Sequence, residues 1–403
     1  MIELLSPAGN FEKLRAAVLY GADAVYLAGQ MFGMRAAAGC FTLDELEQAV
    51  DYCHTRGKKA YLTLNTMPHP DEYALLEKYL NDIAPIPFDA YIIADLGVLS
   101  LVKEISPDRE IHISTQASVV SARGAKMYYD LGAKRVVLSR ELTFDEIADI
   151  RKNTPPELEL EAFIHGAMCI SYSGRCLISN HFTGRDANRG ACAQPCRWIY
   201  NICEEKRPEM PLTVEQGENG TFLFGSKDLC MIEHIPELMK SGITSFKIEG
   251  RMKSAYYAAV TANAYRIAID RYLENPEGYA FDPLLLRELE SVSHREYDTG
   301  FFFSKPLDDA KVAKDPGYLE ARAYLADCVG YDEKTGVAEF VQKNKATVGM
   351  NAEILSPGKT GKAFVIDNMT DEKGVQIESC PRPFMHFFVK MPFEVKVGDI
   401  LRA

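Results

Sequence analysis

The sequence predicts an α/β protein whose main domain is a (β/α)8, TIM-like barrel. A long cysteine-bearing insertion follows strand seven, and a small β-barrel domain ends the chain. Three observations support this prediction. Short apolar runs alternate eight times with amphipathic stretches, four cysteines lie in one glycine-rich stretch between the last two runs, and the chain changes character after residue 303.

The eight predicted strands are apolar and rich in β-branched residues, as buried parallel strands are. They are IELLSPA (2–8), ADAVYLAG (22–29), KAYLTLN (59–65), AYIIAD (90–95), EIHISTQ (110–116), RVVLSRE (135–141), LEAFIHG (160–166) and ITSFKIEGR (243–251). The stretches between them have helical periodicity, and in TLDELEQAVDYCHTRG we expect Thr42 to cap the helix and Gly57 to end it. An open doubly wound sheet is the alternative, although no G-x-G-x-x-G follows the first run.

One long connection and one change of composition define the domains. Between the seventh and eighth runs lie 76 residues, far more than an ordinary connection in such a fold. We therefore expect a barrel domain over 1–303, with the insertion at about 166–242. The charged, proline-bearing stretch 304–318 predicts a linker, and turn signals such as EKTG and SPGKTG predict the small β-barrel over 319–403.

Composition limits the functional class. The 403-residue chain has a formal net charge of −12, which argues against a protein that binds nucleic acid with its whole surface. The stretch 165–198 nevertheless carries Arg175, Arg185, Arg189 and Arg197 against Asp186 alone, a local charge of 4 − 1 = +3. The start, MIELLSPAGN, has no basic or apolar leader, and no apolar run is long enough to span a bilayer. We expect a cytoplasmic protein that does not enter membranes.

Polar side chains mark the ends of six predicted strands, where barrel enzymes place their active sites. They are Asn65, Asp95, Gln116, Arg140 with Glu141, His165, and finally Lys247, Glu249 and Arg251. Because side chains alternate along a strand, Lys247 and Glu249 are expected to point together into the barrel mouth. Polar residues also mark strand exits without any function, but groups of both charge signs at six ends favour a shared pocket. Its arginines suit a substrate carboxylate.

The cysteines indicate a metal site beside that pocket. Cys169, Cys176, Cys192 and Cys196 are spaced C-x6-C, C-x15-C and C-x3-C, and a further 33 residues separate Cys196 from Cys230. A reducing compartment argues against disulfides. Zinc sites usually pair two short C-x2–4-C motifs, whereas thiolates on a glycine-rich loop suit an iron–sulfur cluster equally well. From spacing alone, both metals and inert buried cysteines remain open.

Several motifs together resemble peptidase family U-32. They are ELLSPAGNFEKLRAAVLYGADAVYLAG, STQASV, VVLSRELT, EAFIHGAMCISYSGRCLIS, NRGACAQPCRW and SFKIEGRMKSAYY, which extend over nearly the whole chain. The resemblance is strongest to members that hydroxylate tRNA at the wobble uridine to give 5-hydroxyuridine. Other members act on a ribosomal RNA cytidine or a ubiquinone precursor. The resemblance implies a [4Fe–4S] cluster and prephenate as a small carboxylate co-substrate. Zinc stays the alternative metal, which the cysteine spacing leaves open.

Carried over by motif, the resemblance assigns Cys169, Cys176 and Cys192 as cluster ligands, with Cys230 preferred as the fourth and Cys196 as the alternative. Lys247, Glu249 and Arg251 of the KIEGR motif are the catalytic candidates, followed by His165 as a proton carrier. The expected substrate contacts are Asn65, Asp95, Gln116, Arg140, Glu141, Arg175 and Arg197. Trp198 is a candidate for stacking on a base. Partners are expected to be tRNA and either a related chain or a second copy.

Proteolysis is the competing enzymatic hypothesis, because the family name describes a peptidase. The sequence contains neither an H-E-x-x-H zinc motif nor a G-x-S-x-G nucleophile elbow. A Cys–His pair such as Cys169 with His165 is compatible with the sequence, but a thiolate bound to iron is no longer a free nucleophile. A cluster-bearing RNA-binding protein without turnover is a third hypothesis.

Overall fold

A computed structural model gives the fold of the chain. It describes residues 2–34, 40–169, 171–172, 174–198, 203–204, 207–211, 216–217, 220–221, 226–305 and 318–403, without the side chains of Arg197 and of 203–221. Eight parallel strands form a closed barrel, because the last strand pairs with both the seventh and the first. The predicted TIM-like architecture is confirmed.

All eight predicted apolar runs form barrel strands. They are β1 (Glu3–Pro7), β2 (Ala24–Leu27), β3 (Lys59–Leu64), β4 (Ala90–Ile93), β5 (Glu110–Ile113), β6 (Arg135–Val137), β7 (Glu159–Ala167) and β13 (Ser245–Ile248). Where β13 closes the barrel, Lys247 is paired with Leu5 of β1 on one side and with Phe163 of β7 on the other. This register brings the lysine to the interior of the barrel beside β7.

The helices cover the outside of the barrel, apart from the short seventh one, which belongs to the insertion. They are α1 (Phe11–Leu19), α2 (Leu43–His54), α3 (Tyr73–Ile83), α4 (Leu96–Ile105), α5 (Ala122–Asp130), α6 (Phe144–Lys152), α7 (Ile178–Thr183), α8 (Ile235–Lys240), α9 (Ala255–Glu274) and α10 (Pro283–Glu290). The predicted cap of α2 is present: the Thr42 side chain accepts from the Glu45 N–H while the Glu45 side chain accepts from the Thr42 N–H. Cys53 of α2 is fully buried in the main core.

The insertion begins on β7 and rejoins the barrel before α8. Its described elements are α7 and the short strands β8 (Cys203–Glu204), β9 (Arg207–Pro211), β10 (Gln216–Gly217), β11 (Gly220–Thr221) and β12 (Asp228–Cys230). β12 pairs antiparallel with the end of β7, and α8 is then the ordinary crossover helix to β13. Residues 228–240 therefore belong to the barrel, although the expected insertion extended to about 242.

The barrel interior has two kinds of filling. Six side chains form an inner apolar cluster: Leu5, Ala24, Tyr26, Tyr61, Ala90 and Ile92. Charged side chains occupy the remainder, since Arg135, Glu161 and Lys247 are each at most 5% exposed. Most barrel interiors are filled by branched apolar side chains, so this ionic filling needs a specific explanation.

The C-terminal region is a separate small β-domain, as predicted. Its strands are β15 (Tyr324–Asp332), β16 (Val337–Gln342), β17 (Ala346–Thr347), β18 (Asn351–Leu355), β19 (Lys362–Val365), β20 (Ser379–Cys380), β21 (His386–Lys390) and β22 (Ile400–Arg402). Six of them form one antiparallel sheet in the order β19-β18-β22-β15-β16-β21, while β17 pairs with β20. One more short strand, β14 (Tyr297–Asp298), lies beside β12 in the barrel sheet.

Arg402 ties this domain to the barrel. It is 1% exposed and donates to Glu288 of α10 at 2.8 Å and to Glu353 of its own domain at 2.8 Å. The predicted linker, 304–318, falls mostly on residues 306–317, which lie outside the described part of the chain. Among the described helices, none combines the length and the apolar character needed to cross a bilayer.

Candidate functional site

A cavity of about 1140 Å³, measured with its open mouth, lies at the carboxyl ends of the barrel strands. This is the end of a (β/α)8 barrel at which active sites form. Strand residues and the residues that follow the strands line its floor and walls: Tyr26, Thr63, Asn65, Ser114, Gln116, Arg140, Phe163, Lys247, Glu249 and Arg251. The loop after β7, residues 168–198, which we call the cysteine loop, closes the upper side.

The polar floor comes from β13 and the turn after it. The Lys247 ammonium donates to Glu161 at 2.8 Å and lies 4.5 Å from the centre of the Tyr26 ring. Glu249 accepts from the Tyr26 hydroxyl at 3.1 Å, and Arg251 donates to the Thr63 hydroxyl at 3.2 Å. Each of the three charged side chains is at most 6% exposed, so their charges act in a poorly hydrated space.

Below Lys247 an ionic column continues through the barrel. Glu161 is fully buried and accepts from Arg135 at 3.0 Å and from Ser245 at 3.3 Å. Arg135 in turn contacts Glu3, whose other carboxylate oxygen accepts from Tyr61 at 2.6 Å. Burial alone raises the pKa of Glu161, but the charges of Lys247 and Arg135 outweigh it and bring the pKa down to about 2. The column therefore stays ionised and fixes the position of Lys247 from beneath.

Other side chains of the cavity wall follow β3, β5 and β6. The Asn65 amide donates to the Ser114 hydroxyl at 3.3 Å and accepts from the Met34 N–H at 3.1 Å. Arg140 donates to the Ala167 carbonyl at 2.8 Å and lies 4.0 Å from the centre of the Phe163 ring. Among the described residues its buried Nε has no hydrogen-bond partner. Arg140 thus retains a donor for a further acceptor.

Two glycines allow close backbone contacts around the cavity, one between the end of β7 and the turn after β13 and one between the cysteine loop and the residues after β5. Gly166 has φ +104°, and a Cβ there would collide with the carbonyl oxygen of Glu249. Gly174 has φ +74°, and a Cβ there would collide with the carbonyl oxygen of Gln116. Arg189 forms an ion pair with Glu72 beside α3, which attaches the far side of the loop to the barrel. These contacts attach the described part of the loop across the mouth of the cavity.

Four cysteines of this loop face the same cavity: Cys169, Cys176, Cys192 and Cys196. The Cys192 sulfur accepts from the Gln194 N–H at 3.3 Å, and the Cys176 carbonyl accepts from Asn188 at 3.0 Å. The four sulfurs line the cavity but are not gathered around one point. Among the described residues, no three His, Cys, Asp or Glu side chains are close enough together to hold a metal ion. The number and chemistry of the cysteines nevertheless fit a soft metal or an iron–sulfur cluster.

Cys230, the expected fourth ligand, lies elsewhere. It is in β12, is 8% exposed and is not among the residues that line the cavity. Its sulfur is 3.9 Å from the Tyr265 hydroxyl, and burial raises the pKa of the thiol to about 12. The structure thus brings Cys196, the alternative, to the cavity with the other three cysteines.

His165 also lies away from the cavity. It is fully buried, with ring centres of Tyr257, Tyr265 and Tyr297 at 5.4 to 5.9 Å. Burial lowers the pKa of the imidazole to about 3, so it is neutral at ordinary pH. Its Nδ1 is 3.4 Å from the Tyr265 hydroxyl, and its Nε2 has no hydrogen-bond partner among the described residues. In this position the histidine packs the end of β7 against α9.

The remaining expected substrate contacts divide into two groups. Asn65, Gln116 and Arg140 line the cavity with the β13 residues. Asp95, Glu141 and Arg175 do not: Asp95 caps α4 by accepting from two backbone N–H groups, Glu141 accepts from the Ser139 hydroxyl, and Arg175 is exposed beside a shallower hollow. The side chain of Arg197 lies outside the described part of the chain.

Sequence reasoning missed several cavity residues because it looked only at strand ends. Tyr26, Thr63 and Phe163 line the cavity from within their strands, and Glu161 supports Lys247 from below. Alternation along β7 was the available signal. Glu161 and Phe163 are two residues apart and share a face, and a carboxylate inside an otherwise apolar run requires a buried cation.

Two protein-family models match consecutive parts of the chain. The model described as Peptidase family U32 covers residues 9–311, and the one described as Peptidase family U32 C-terminal domain covers residues 321–402. The two matches meet at the predicted linker and correspond to the barrel and the small β-domain.

Curated relatives match along the chain. A Bacillus subtilis protein named "tRNA hydroxylation protein P1" is 35% identical over 400 residues, covering 99% of this chain and 94% of the relative. An Escherichia coli protein named "tRNA hydroxylation protein P" is also 35% identical, covering 99% of this chain and 96% of its own. The E. coli "23S rRNA 5-hydroxycytidine C2501 synthase" is 38% identical over 276 residues, covering 68% of this chain and 40% of its own.

Proposed function

The chain belongs to peptidase family U32, and from that premise we propose that it is an RNA-modifying enzyme that hydroxylates tRNA at C5 of the wobble uridine. The observation that carries the proposal is one cavity lined both by four cysteines and by Lys247, Glu249 and Arg251. Full-length relatives named for tRNA hydroxylation, and a shorter match named for hydroxylation of an rRNA cytidine, support RNA as the substrate class.

The cavity suits a single base taken out of its stack. A base inside a helix presents its C5 edge poorly, so enzymes that act on bases extrude them into a pocket. The Asn65 amide and the Phe163 ring on the cavity walls offer a hydrogen-bonding group and an apolar surface to such a base. Single-stranded loops are where proteins most often read RNA bases, and an anticodon loop supplies them unpaired.

We propose that Cys169, Cys176, Cys192 and Cys196 hold a [4Fe–4S] cluster, with zinc as the alternative metal. Cys196 replaces Cys230 in this assignment because it lines the cavity with the other three cysteines. When bound, such a cluster supplies electron transfer beside the substrate. Cys230 lies against Tyr265 in the packed wall behind β7.

The cationic side chains define what the protein itself contributes. Arg251 and Arg140 present guanidinium groups to the cavity, which suit the carboxylates of a small co-substrate such as prephenate. Lys247, fixed by Glu161, supplies a positive charge at the floor, and Glu249 offers a carboxylate within reach of the same space. These groups orient the reactants and balance negative charge on the co-substrate.

Proteolysis is less well supported by the same cavity. A cysteine nucleophile requires a nearby general base, usually histidine. No histidine is among the cavity-lining side chains of the described residues, and His165 is enclosed by three tyrosines behind β7. A cluster that occupies the cysteines would also remove them as nucleophiles.

The test is a nucleoside analysis of RNA from cells with and without this gene. We expect 5-hydroxyuridine in tRNA to disappear on deletion and to return with the unaltered gene. Lys247→Gln should not restore it, whereas the matched control Lys240→Gln, at an exposed lysine of α8, should restore it fully. Soluble protein of both variants is checked by circular dichroism.

Three results would contradict the proposal or its assignment of the site. If deletion leaves the tRNA nucleosides unchanged but removes an rRNA hydroxycytidine or a hydroxylated quinone, the substrate is that molecule and not tRNA. Full restoration of 5-hydroxyuridine by Lys247→Gln would show that the activity does not need this lysine. Cleavage of peptide substrates that is lost with Cys169→Ala, in protein without iron, would instead support the peptidase.

A further inference from the structure

Exposed aromatic side chains are concentrated on the cysteine loop. Among the described residues, six aromatic side chains are at least 43% exposed: Tyr172, Phe182, Trp198, Phe303, Tyr318 and Phe384. Three of the six lie within residues 172–198, a small fraction of the chain. Leu177 of the same loop is 68% exposed. Leaving so many large apolar groups in water on one loop is costly, which points to a surface that becomes covered.

These side chains lie around the mouth of the cavity. Tyr172 itself lines the cavity. Trp198 directly follows the 195–197 turn, whose Pro195 and Cys196 also line it. Phe182 is on α7, which packs against that turn. The three rings therefore belong to one rim.

A fourth exposed ring borders a hollow that adjoins the cavity. Tyr318 is 52% exposed and borders a smaller hollow with Gln194, Glu249 and Lys253. The Lys253 ammonium lies 4.5 Å from the centre of the Tyr318 ring. Because Glu249 borders both the cavity and this hollow, the rim continues from the cysteine loop to the turn after β13.

We propose that this rim, Tyr172, Phe182, Trp198 and Tyr318, is a stacking platform for unpaired bases that flank the base held in the cavity. The inference rests on the proposed function and adds to it the form of RNA that is recognised: a single-stranded loop. Aromatic side chains stack on bases of any sequence, because every base has a flat face. A duplex keeps its bases stacked internally and offers the rim only its backbone.

The charges around the rim favour RNA over an apolar peptide. Arg175 and Arg185 are exposed on the same loop, and Lys253 lies beside Tyr318. The local excess of positive charge contrasts with the net charge of −12 for the whole chain. Phosphates attached to stacked bases would meet these cations. Arg189 of the same loop is already paired with Glu72, so it is not counted among these cations.

The experiment measures the binding of two fluorescent RNAs to the full-length protein. One is a short hairpin with an unpaired uridine-containing loop, and the other is the same stem closed as a perfect duplex. Phe182→Ala and Trp198→Ala should each weaken hairpin binding by about fivefold to a hundredfold. Trp198→Phe should retain most of the affinity, because it keeps a ring. Phe384→Ala, at an aromatic residue 69% exposed in the C-terminal domain, is the matched control and should change nothing.

The outcomes separate this inference from the proposed function. If the unaltered protein prefers the hairpin and only the rim variants lose that preference, the platform is supported. If the unaltered protein prefers the hairpin but Phe182→Ala and Trp198→Ala bind as it does, the platform is wrong and the proposed function stands. If the unaltered protein binds neither RNA, both the platform and the proposed function are wrong. Equal weakening by Phe384→Ala would show a general effect and would also overturn the platform.

Discussion

Replacing Glu161 by glutamine tests whether the ionic column beneath the cavity holds the site together. The carboxylate has no solvent exposure and accepts hydrogen bonds from Lys247 at 2.8 Å and Arg135 at 3.0 Å. In the buried part of the column, Glu161 and Glu3 balance the charges of Lys247 and Arg135. Glutamine keeps the shape of the side chain but removes one negative charge, so one buried cation loses its balance.

The structure sets the expected magnitude. Removing one partner of a buried ion pair costs about 3–5 kcal/mol, because the remaining charge is left in a medium that solvates it poorly. We therefore expect Glu161→Gln to lower the free energy of unfolding by about 3–5 kcal/mol. Glu159→Gln is the matched control: Glu159 contacts the same Arg135 at 2.6 Å, but its side chain is 32% exposed. Water replaces much of that interaction, so the expected cost is about 0–1 kcal/mol.

The assay is urea unfolding followed by circular dichroism, with both variants and the unaltered protein measured in one buffer near neutral pH. The difference between the two variants is the informative quantity, since both lose a carboxylate beside one guanidinium. A Glu161→Gln cost no larger than the Glu159→Gln cost would refute the reasoning that burial makes this pair matter.

The same carboxylate predicts a pH dependence. Its pKa is lowered from 4.5 to about 2, because the two cations outweigh the effect of burial. A carboxylate with a lowered folded-state pKa stabilises the fold above its unfolded pKa, and that contribution is lost as the pH falls toward the folded value. Between about pH 4.5 and pH 2, the unaltered protein should lose stability more steeply than Glu161→Gln. Parallel curves over this window would contradict an ionised Glu161.

Three further predictions concern the cluster, a close contact at the end of β7 and the contact between the domains. Anaerobically purified protein should contain about four irons and four sulfides with a matching visible absorption spectrum, lost in Cys169→Ala and Cys196→Ala but retained in Cys230→Ala; stoichiometric zinc without sulfide would refute the iron–sulfur assignment. Gly166→Ala should destabilise the protein by more than 1 kcal/mol, because φ is +104° and the added Cβ meets the Glu249 carbonyl. Gly184→Ala is the control: its φ is +68°, no atom lies near the added Cβ, and the free energy of unfolding should fall by about 1 kcal/mol. Equal urea midpoints for the two variants would contradict the predicted collision at Gly166. Arg402→Ala should cost about 3–5 kcal/mol and expose the junction of the two domains to limited proteolysis, since Glu288 and Glu353 both lose their buried partner; an unchanged cleavage pattern would count against Arg402 as the tie.

The sequence by itself determined the barrel and the position of the candidate site. Strand and helix periods are local properties of the chain, so eight alternating runs were enough to predict eight strands, and each of them is present. The two-residue alternation of a strand likewise predicted that Lys247 and Glu249 would face the same space, and both line the cavity. The long connection after strand seven placed the cysteine loop at the mouth, because parallel strands end on one side of a barrel.

The tertiary structure alone decided which of the candidate groups meet. The sequence left Cys230 as the preferred fourth ligand and Cys196 as the alternative. Only the path of the loop brings Cys196 to the cavity, while β12 takes Cys230 into the packed wall. Asp95 and Asn65 both follow strands, yet one caps a helix and the other lines the cavity, because a polar group at a strand end serves either purpose equally well. Contacts between residues far apart in the chain depend on the packing of every element between them, and no local pattern in the sequence encodes that packing.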